Sequence, residues 1–171
     1  MKKLILIGAT FLAALCSYAQ RQTSPDGKWV FFVKQVSGPA IEWGGGKEQP
    51  TELWQIDAHG KHPTLLVRCR NSDKMAEVIA GFANLQFSSD GKLVYFNTPA
   101  WATSPAVHVV DTTTRREHFL IDGWIQRIAY TDQGDRLIVS RRQYDSEGVY
   151  HDDFVVTPEG EIVGHLGIKE R

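Results

Sequence analysis

The stretch SPDGKWVFF, residues 24–32, sets a tight polar turn directly against a run of apolar and aromatic chain. Each turn residue has a distinct role. Pro25 fixes φ at the second turn position, Asp26 bonds nearby backbone, and Gly27 supplies the positive φ on which the turn ends. The bulky and β-branched residues that follow read as a strand. The stretch is therefore a β-hairpin, and a chain that builds the same hairpin again should repeat the punctuation.

It repeats twice. LQFSSDGKLVYFN (85–97) carries Ser89, Asp90 and Gly91 in its turn, and RIAYTDQGDRLIVS (127–140) keeps Gly134 at the glycine position. Gly91 and Gly134 are 43 residues apart, within the roughly 40–50-residue period of propeller blades. Gly27 and Gly91 are 64 apart, so the first unit carries extra chain. Each hairpin is followed by a second strand pair with its own polar turn: ELWQIDAHGKHPTLLV (52–67), AVHVVDTTTRREHFLI (106–121) and DDFVVTPEGEIVGHLG (152–167). The expected fold is all-β, built from antiparallel four-stranded meanders with strands a to d. Three propeller-like blades, approximately 20–70, 84–122 and 124–168, make one domain over 20–171. Helical periodicity is confined to SDKMAEVIAGF (72–82), where Met75, Val78, Ile79 and Phe82 share a face behind Ser72 or Asp73 as N-cap. That spacing predicts one short helix in a long loop.

The paired stretches SPDGKWVFF…ELWQIDAHGKHPTLL and FSSDGKLVYF…VHVVDTTTRREHFL resemble the blade repeat of TolB-type (WD40-like) β-propellers. In that family an S-P-D-G-K turn joins strands a and b, and an apolar strand ending in Asp precedes the c–d turn. The third unit departs from the pattern: Gln133 stands for the turn aspartate and Asp135 for the lysine. The resemblance implies a propeller-like fold and a periplasmic or secreted setting. It implies no activity, because such propellers serve as protein-interaction platforms or as gates attached to separate peptidase domains.

Residues 1–20, MKKLILIGATFLAALCSYAQ, read as an export leader. Lys2 and Lys3 precede an apolar run too short for a stable membrane anchor, and Ser17 and Ala19 offer small residues for cleavage after Ala19. Lipidation at Cys16 is the alternative, but Leu15 stands where a lipobox needs a small residue. Without 1–19 the chain holds 17 basic and 20 acidic side chains, which gives no electrostatic reason to expect nucleic acid or an anionic membrane as a partner. Cys69 is then the one cysteine left, so no intrachain disulfide can form. A buried inert thiol is the expectation for it, with an interchain bridge or a reactive thiol as alternatives.

Chemistry-bearing motifs are absent from the sequence: there is no G-x-S-x-G elbow, H-E-x-x-H pair or P-loop. His59 and His62 flank a turn, His108 and His118 lie on strands, and no metal or other cofactor is expected. Asp145, Glu147, Asp152 and Asp153 lack the spacing of a Ca²⁺ loop and read as a solvated turn. WGGGKEQP (43–50) reads as an exposed loop.

A meander alternates its turns between two edges, which does point to a site. The a–b and c–d turns share one edge. The long segments 37–50, 71–84, 98–104 and 143–151 fall on the other. Trp43, Trp101, Trp124, Tyr144 and Tyr150 collect there, residue types enriched at interface hot spots and placed on loops where binding concentrates. The competing expectation is that these rings pack down over the propeller end. The function expected is an exported, non-enzymatic binding or scaffold protein engaging a protein partner through that face. A small inhibitor or immunity protein neutralising a toxin or hydrolase is the alternative, and a carbohydrate-binding or hydrolytic module a second. Three blades are fewer than the roughly four to eight of a closed ring, so either two arcs pair as a homodimer or the short helix covers an open end.

Overall fold

A computed structural model describes residues 21–170; the expected leader, its cleavage site after Ala19 and Cys16 lie outside them. Among the described residues no helix is long and apolar enough to cross a membrane. Blade 1 contains β1 (Arg21–Thr23), β2 (Trp29–Gln35), an inserted hairpin of β3 (Ile41–Trp43) and β4 (Gly46–Glu48), then β5 (Thr51–Asp57) and β6 (Thr64–Arg68). Blade 2 runs through β7 (Ala83–Phe87), β8 (Leu93–Trp101), β9 (Ser104–Asp111) and β10 (Glu117–Asp122). Blade 3 is β11 (Trp124–Thr131), β12 (Gly134–Asp145), β13 (Gly148–Val156) and β14 (Ile162–Glu170). Each blade is an antiparallel four-stranded meander, with β3–β4 a separate two-stranded sheet.

The two S-x-D-G-K turns are built alike. Asp26 accepts hydrogen bonds from the Ser24 hydroxyl (2.7 Å) and the Lys28 N–H (3.1 Å), and the Trp29 N–H donates to Ser24 Oγ (3.0 Å). Asp90 repeats the arrangement with the Ser88 hydroxyl (2.8 Å) and the Lys92 N–H (3.0 Å). Gly27 and Gly91 sit at φ 73° and 70°, the left-handed region that an L side chain resists. In the second blade the bonding serine is Ser88 rather than Ser89. The third turn shortens to two residues between Thr131 and Gly134. Its Asp135 is freed from its own turn and accepts the Ser89 N–H of blade 2 at 2.9 Å. The departure seen in the sequence is thus a contact between blades.

Blade 2 lies between the other two, and alternation along its strands decides which side each residue serves. Val94, Phe96 and Val110 join Phe31, Val33 and Leu53 of blade 1 in one apolar cluster. Tyr95, Val107 and Val109 join Ile125, Leu137 and Val139 of blade 3 in another. A single residue, Gly123, links β10 to β11; a Cβ there would come within 2.7 Å of the Ser140 carbonyl oxygen.

Several expectations are corrected. The helix over 72–82 reduces to one 3-10 turn, Met75–Glu77, with Lys74 in the cap position and no side-chain cap. Ser72 Oγ accepts the Lys74 N–H and donates to Glu77, which closes a local loop instead of a helix N-terminus. Val78 then turns extended, and Ile79 bridges Arg70, so Ile79 and Phe82 reach the cluster between blades 1 and 2. This segment is wedged between blades 1 and 2 rather than laid over an end of the arc. The expected loop 43–50 contains a hairpin turn and β4, with the Trp43 ring folded over Gly45. Segments 98–104 and 143–151 are mostly strand, turning at Ala102–Thr103 and Ser146–Glu147, so tight turns occupy both edges. Asp152 and Asp153 are ladder residues, and Asp152 is buried against His165 at 2.6 Å.

Candidate functional site

The edge carrying the b–c and d–a connections is uneven because β12 and β13 outrun their neighbour. β11 begins opposite Ser140, yet β12 continues for five more residues paired to β13. Arg141, Arg142 and Tyr144 therefore stand beyond the edge of β11. β8 and β9 likewise extend to Trp101 and Ser104. The two projecting hairpins leave a groove between blades 2 and 3.

The groove has two connected parts. A cavity of about 420 Å³ is walled by Trp101, Phe119, Tyr144, Arg142 and Ala76. A smaller one of about 190 Å³ is walled by Trp124, Gln126, Ser140 and His151. Thr103, Ser104 and Arg142 line both. Trp101 meets Phe119 edge-on at 6.2 Å between centroids, and the Arg142 guanidinium lies 5.5 Å from the Tyr144 ring centre. Tyr144 is 61% exposed and Trp124 45%. Arg141 is neutralised by Asp122 at 2.6 Å, whereas Arg142 has no carboxylate partner among the described residues. The Arg142 Nε is buried without a hydrogen-bond partner.

The structure brings Trp101, Trp124 and Tyr144 onto this one groove and leaves the other two expected residues outside it. Trp43 is half-buried with Ile41, Val78 and Ala80, and the Gly44 N–H beside it donates to the Ala100 carbonyl at 2.6 Å, which docks the hairpin onto β8. For Trp43 the packing expectation is the better description. Tyr150 of β13 pairs with Gln143 of β12 and lines neither cavity. A larger trough of about 860 Å³ runs between that hairpin and the 71–75 segment, but its Glu42 is already paired with Lys47 at 2.7 Å. Sequence reading missed Arg142, Phe119 and His151; the available signal was the over-long β12–β13 hairpin, which brings a cation level with the rings.

Other titratable groups serve the scaffold. Burial raises the Glu117 carboxyl, but its bonds from His108 and Arg70 overcome that and hold it below the ordinary value. Burial pushes the Cys69 thiol up, and its sulfur meets the Thr51 hydroxyl at 3.2 Å. His59 and His62 sit in the β5–β6 turn and His118 is exposed on β10. Among the described residues no three His, Cys, Asp or Glu side chains gather as metal ligands.

No family model and no curated protein matches the sequence. Solved structures do. TolB from Acinetobacter baumannii is 17% identical with a TM-score of 0.54, matching 90% of this chain to 33% of its own. The periplasmic gluconolactonase PpgL of Pseudomonas aeruginosa is 15% identical with a TM-score of 0.47, matching 88% of this chain to 39% of its own. The chain spans well under half the length of either protein. With its meander blades and its two repeated S-x-D-G-K turns, the chain has the TolB-type β-propeller fold in three blades.

Proposed function

We propose that the chain is an exported, non-enzymatic binding or scaffold protein that engages a protein partner through the groove between blades 2 and 3. The observation that carries this reading is the exposure of Tyr144 on the projecting β12–β13 hairpin and of Trp124 at the start of β11, on the same groove as Trp101 of the β8–β9 hairpin. Large aromatic rings held on a scaffold supply contact area at little conformational cost. The leader-like N-terminus supports an encounter outside the cytoplasm, in the periplasm or after secretion. The test is capture of a stoichiometric partner from periplasmic extract by the mature chain. Trp101→Ala with Trp124→Ala should abolish capture and Trp43→Ala should spare it; a partner retained by the double variant overturns the groove.

A two-fold pair of arcs belongs to the same proposal. Trp54 and Ile56 alternate with the buried Leu53 and so face away from blade 2, and Val163 and Leu166 are exposed on β14. Such apolar surface favours association. Light scattering under reducing conditions should give the mass of two chains, and a single-chain mass at every concentration removes the pair.

A further inference from the structure

We propose that the groove between blades 2 and 3 is a carboxylate-binding site in which Arg142 takes the charged group and Trp101, Phe119 and Tyr144 take the apolar group attached to it. This deepens the binding function proposed above and rests on it.

The charge distribution makes the case. Two adjacent arginines leave the end of β12, yet they are in different situations. Arg141 is ion-paired through one terminal nitrogen with Asp122 at 2.6 Å and also covers the Phe154 ring at 5.5 Å. Arg142 has a ring contact with Tyr144 and no carboxylate partner among the described residues. Its Nε, like that of Arg141, is withdrawn from solvent without a hydrogen-bond partner among the described residues, so what separates the two is the ion pair. A guanidinium is always charged and its donors form a planar fork, so a buried unpaired N–H is costly and a planar oxyanion is its natural complement.

The surroundings select among anions. Arg142 stands where the two cavities meet, so a group bound to it can extend either way. In the larger part the walls are Trp101, Phe119 and Tyr144, which fit a planar or branched apolar group and offer a phosphate no further cation. Asp122 also lines this part but is paired with Arg141, and Thr103 and Ser104 stand at the junction, where the Ser104 hydroxyl donates to the Pro105 carbonyl at 3.3 Å. His151 is the only other titratable group lining the smaller part. One fork beside an aromatic wall describes a monoanionic carboxylate next to an apolar side chain. A protein offers that chemistry at its C-terminus or at an acidic side chain next to an apolar residue.

The experiment uses the mature chain with N-acetyl-phenylalanine and its primary amide as probes, followed by tryptophan fluorescence and by protein NMR at millimolar probe. The acid should bind saturably and at least about tenfold more tightly than the amide, the gain of one charge-assisted fork. Arg142→Gln should erase the difference between acid and amide, and Tyr144→Ala should weaken both alike. A thermal melt of each variant confirms folding, and Arg142→Lys, which keeps the charge but loses the fork, should recover only part of the preference. A peptide ending in Phe, its C-terminal amide, and the same amide with an internal Glu-Phe pair then separate the two protein sources. Equal binding of acid and amide to the wild-type chain, or a preference that survives Arg142→Gln, overturns the carboxylate site. A partner captured equally by wild type and Arg142→Gln but lost on Trp101→Ala with Trp124→Ala would sink this inference while leaving the binding function standing.

Discussion

The two interfaces that flank blade 2 are held by different physics. Between blades 1 and 2 the contact is aromatic and aliphatic: Phe31 meets Phe87 at 4.9 Å and Phe82 meets Phe96 at 5.1 Å between centroids. Between blades 2 and 3 an aliphatic cluster is stitched by polar side chains. Asn97, 1% exposed, donates to the Gly123 carbonyl at 2.9 Å and accepts from the Ile125 N–H at 3.2 Å. Asn84 donates to the Ile125 carbonyl at 2.6 Å, the Tyr130 hydroxyl donates to the Phe87 carbonyl at 3.0 Å, and Asp135 holds the Ser89 N–H. The first interface has a core of rings and aliphatic chains, with its polar ties, Gly44 to Ala100 and Arg70 to Glu117, beside that core, whereas in the second buried side-chain amides cross the interface itself. The difference fits what each must do: the groove opens between blades 2 and 3, and a groove works only if its walls keep their spacing.

Breaking the apolar interface should have the largest effect. Phe31→Ala removes a ring with no exposed surface and should cost about 3–5 kcal/mol in guanidinium unfolding, without changing which ligands the groove takes. Asn97→Ala strands the Gly123 carbonyl and the Ile125 N–H in the interior, for a loss on the order of 2–3 kcal/mol. Its sharper consequence is local. Amide exchange should rise at Ile125 and around Trp124 more than in blade 1, and a uniform rise across all blades would contradict the fixing role. Asp135→Ala frees one N–H for a loss of about 1 kcal/mol, and Asp135→Asn should restore most of it because an amide oxygen still accepts.

The smallest effect concerns the turns and reads in pH. Asp90 is held down to about 2 by the Lys92 N–H and the Ser88 hydroxyl, and Asp26 to about 2 by the Ser24 hydroxyl and the Lys28 N–H. Both carboxyls titrate near 4 in the unfolded chain, so the folded state binds protons less readily. Their contribution is complete above pH 4 and is lost as pH falls from about 4 to about 2. Asp90→Asn should flatten the acid limb of the unfolding midpoint in that window and leave pH 6–8 nearly unchanged. An unaltered acid limb would show that the turn carboxylate does not carry the pH dependence.

Blade 1's strands were legible in the sequence, because the apolar runs around Phe31, Val33 and Leu53 stand beside turn residues that fix where each strand starts. The second interface was not. Asn84, Asn97 and Asp135 are residues that usually face water, and nothing local distinguishes an asparagine that ties two blades from one in a loop. The 72–82 segment failed for a related reason: Val78, Ile79 and Phe82 satisfy helical spacing, but burial between two sheets rewards extended chain that brings Ile79 beside Arg70. Trp43 read like Trp101 because both follow a strand near the same edge, and the inserted hairpin that folds Trp43 down was masked by its glycines.

The sequence by itself determined the blades, their turns and the edge on which aromatic residues gather, since those follow from period-two alternation and from the backbone demands of Asp and Gly. The tertiary structure decided which aromatics meet and which charge is left unpaired. Arg141 and Arg142 are neighbours of the same type, and only the overhang of β12 beyond β11 and the position of Asp122 on the next blade pair one with a carboxylate and leave the other without one among the described residues. Such a difference depends on the distance between groups far apart in the chain, which local pattern does not encode.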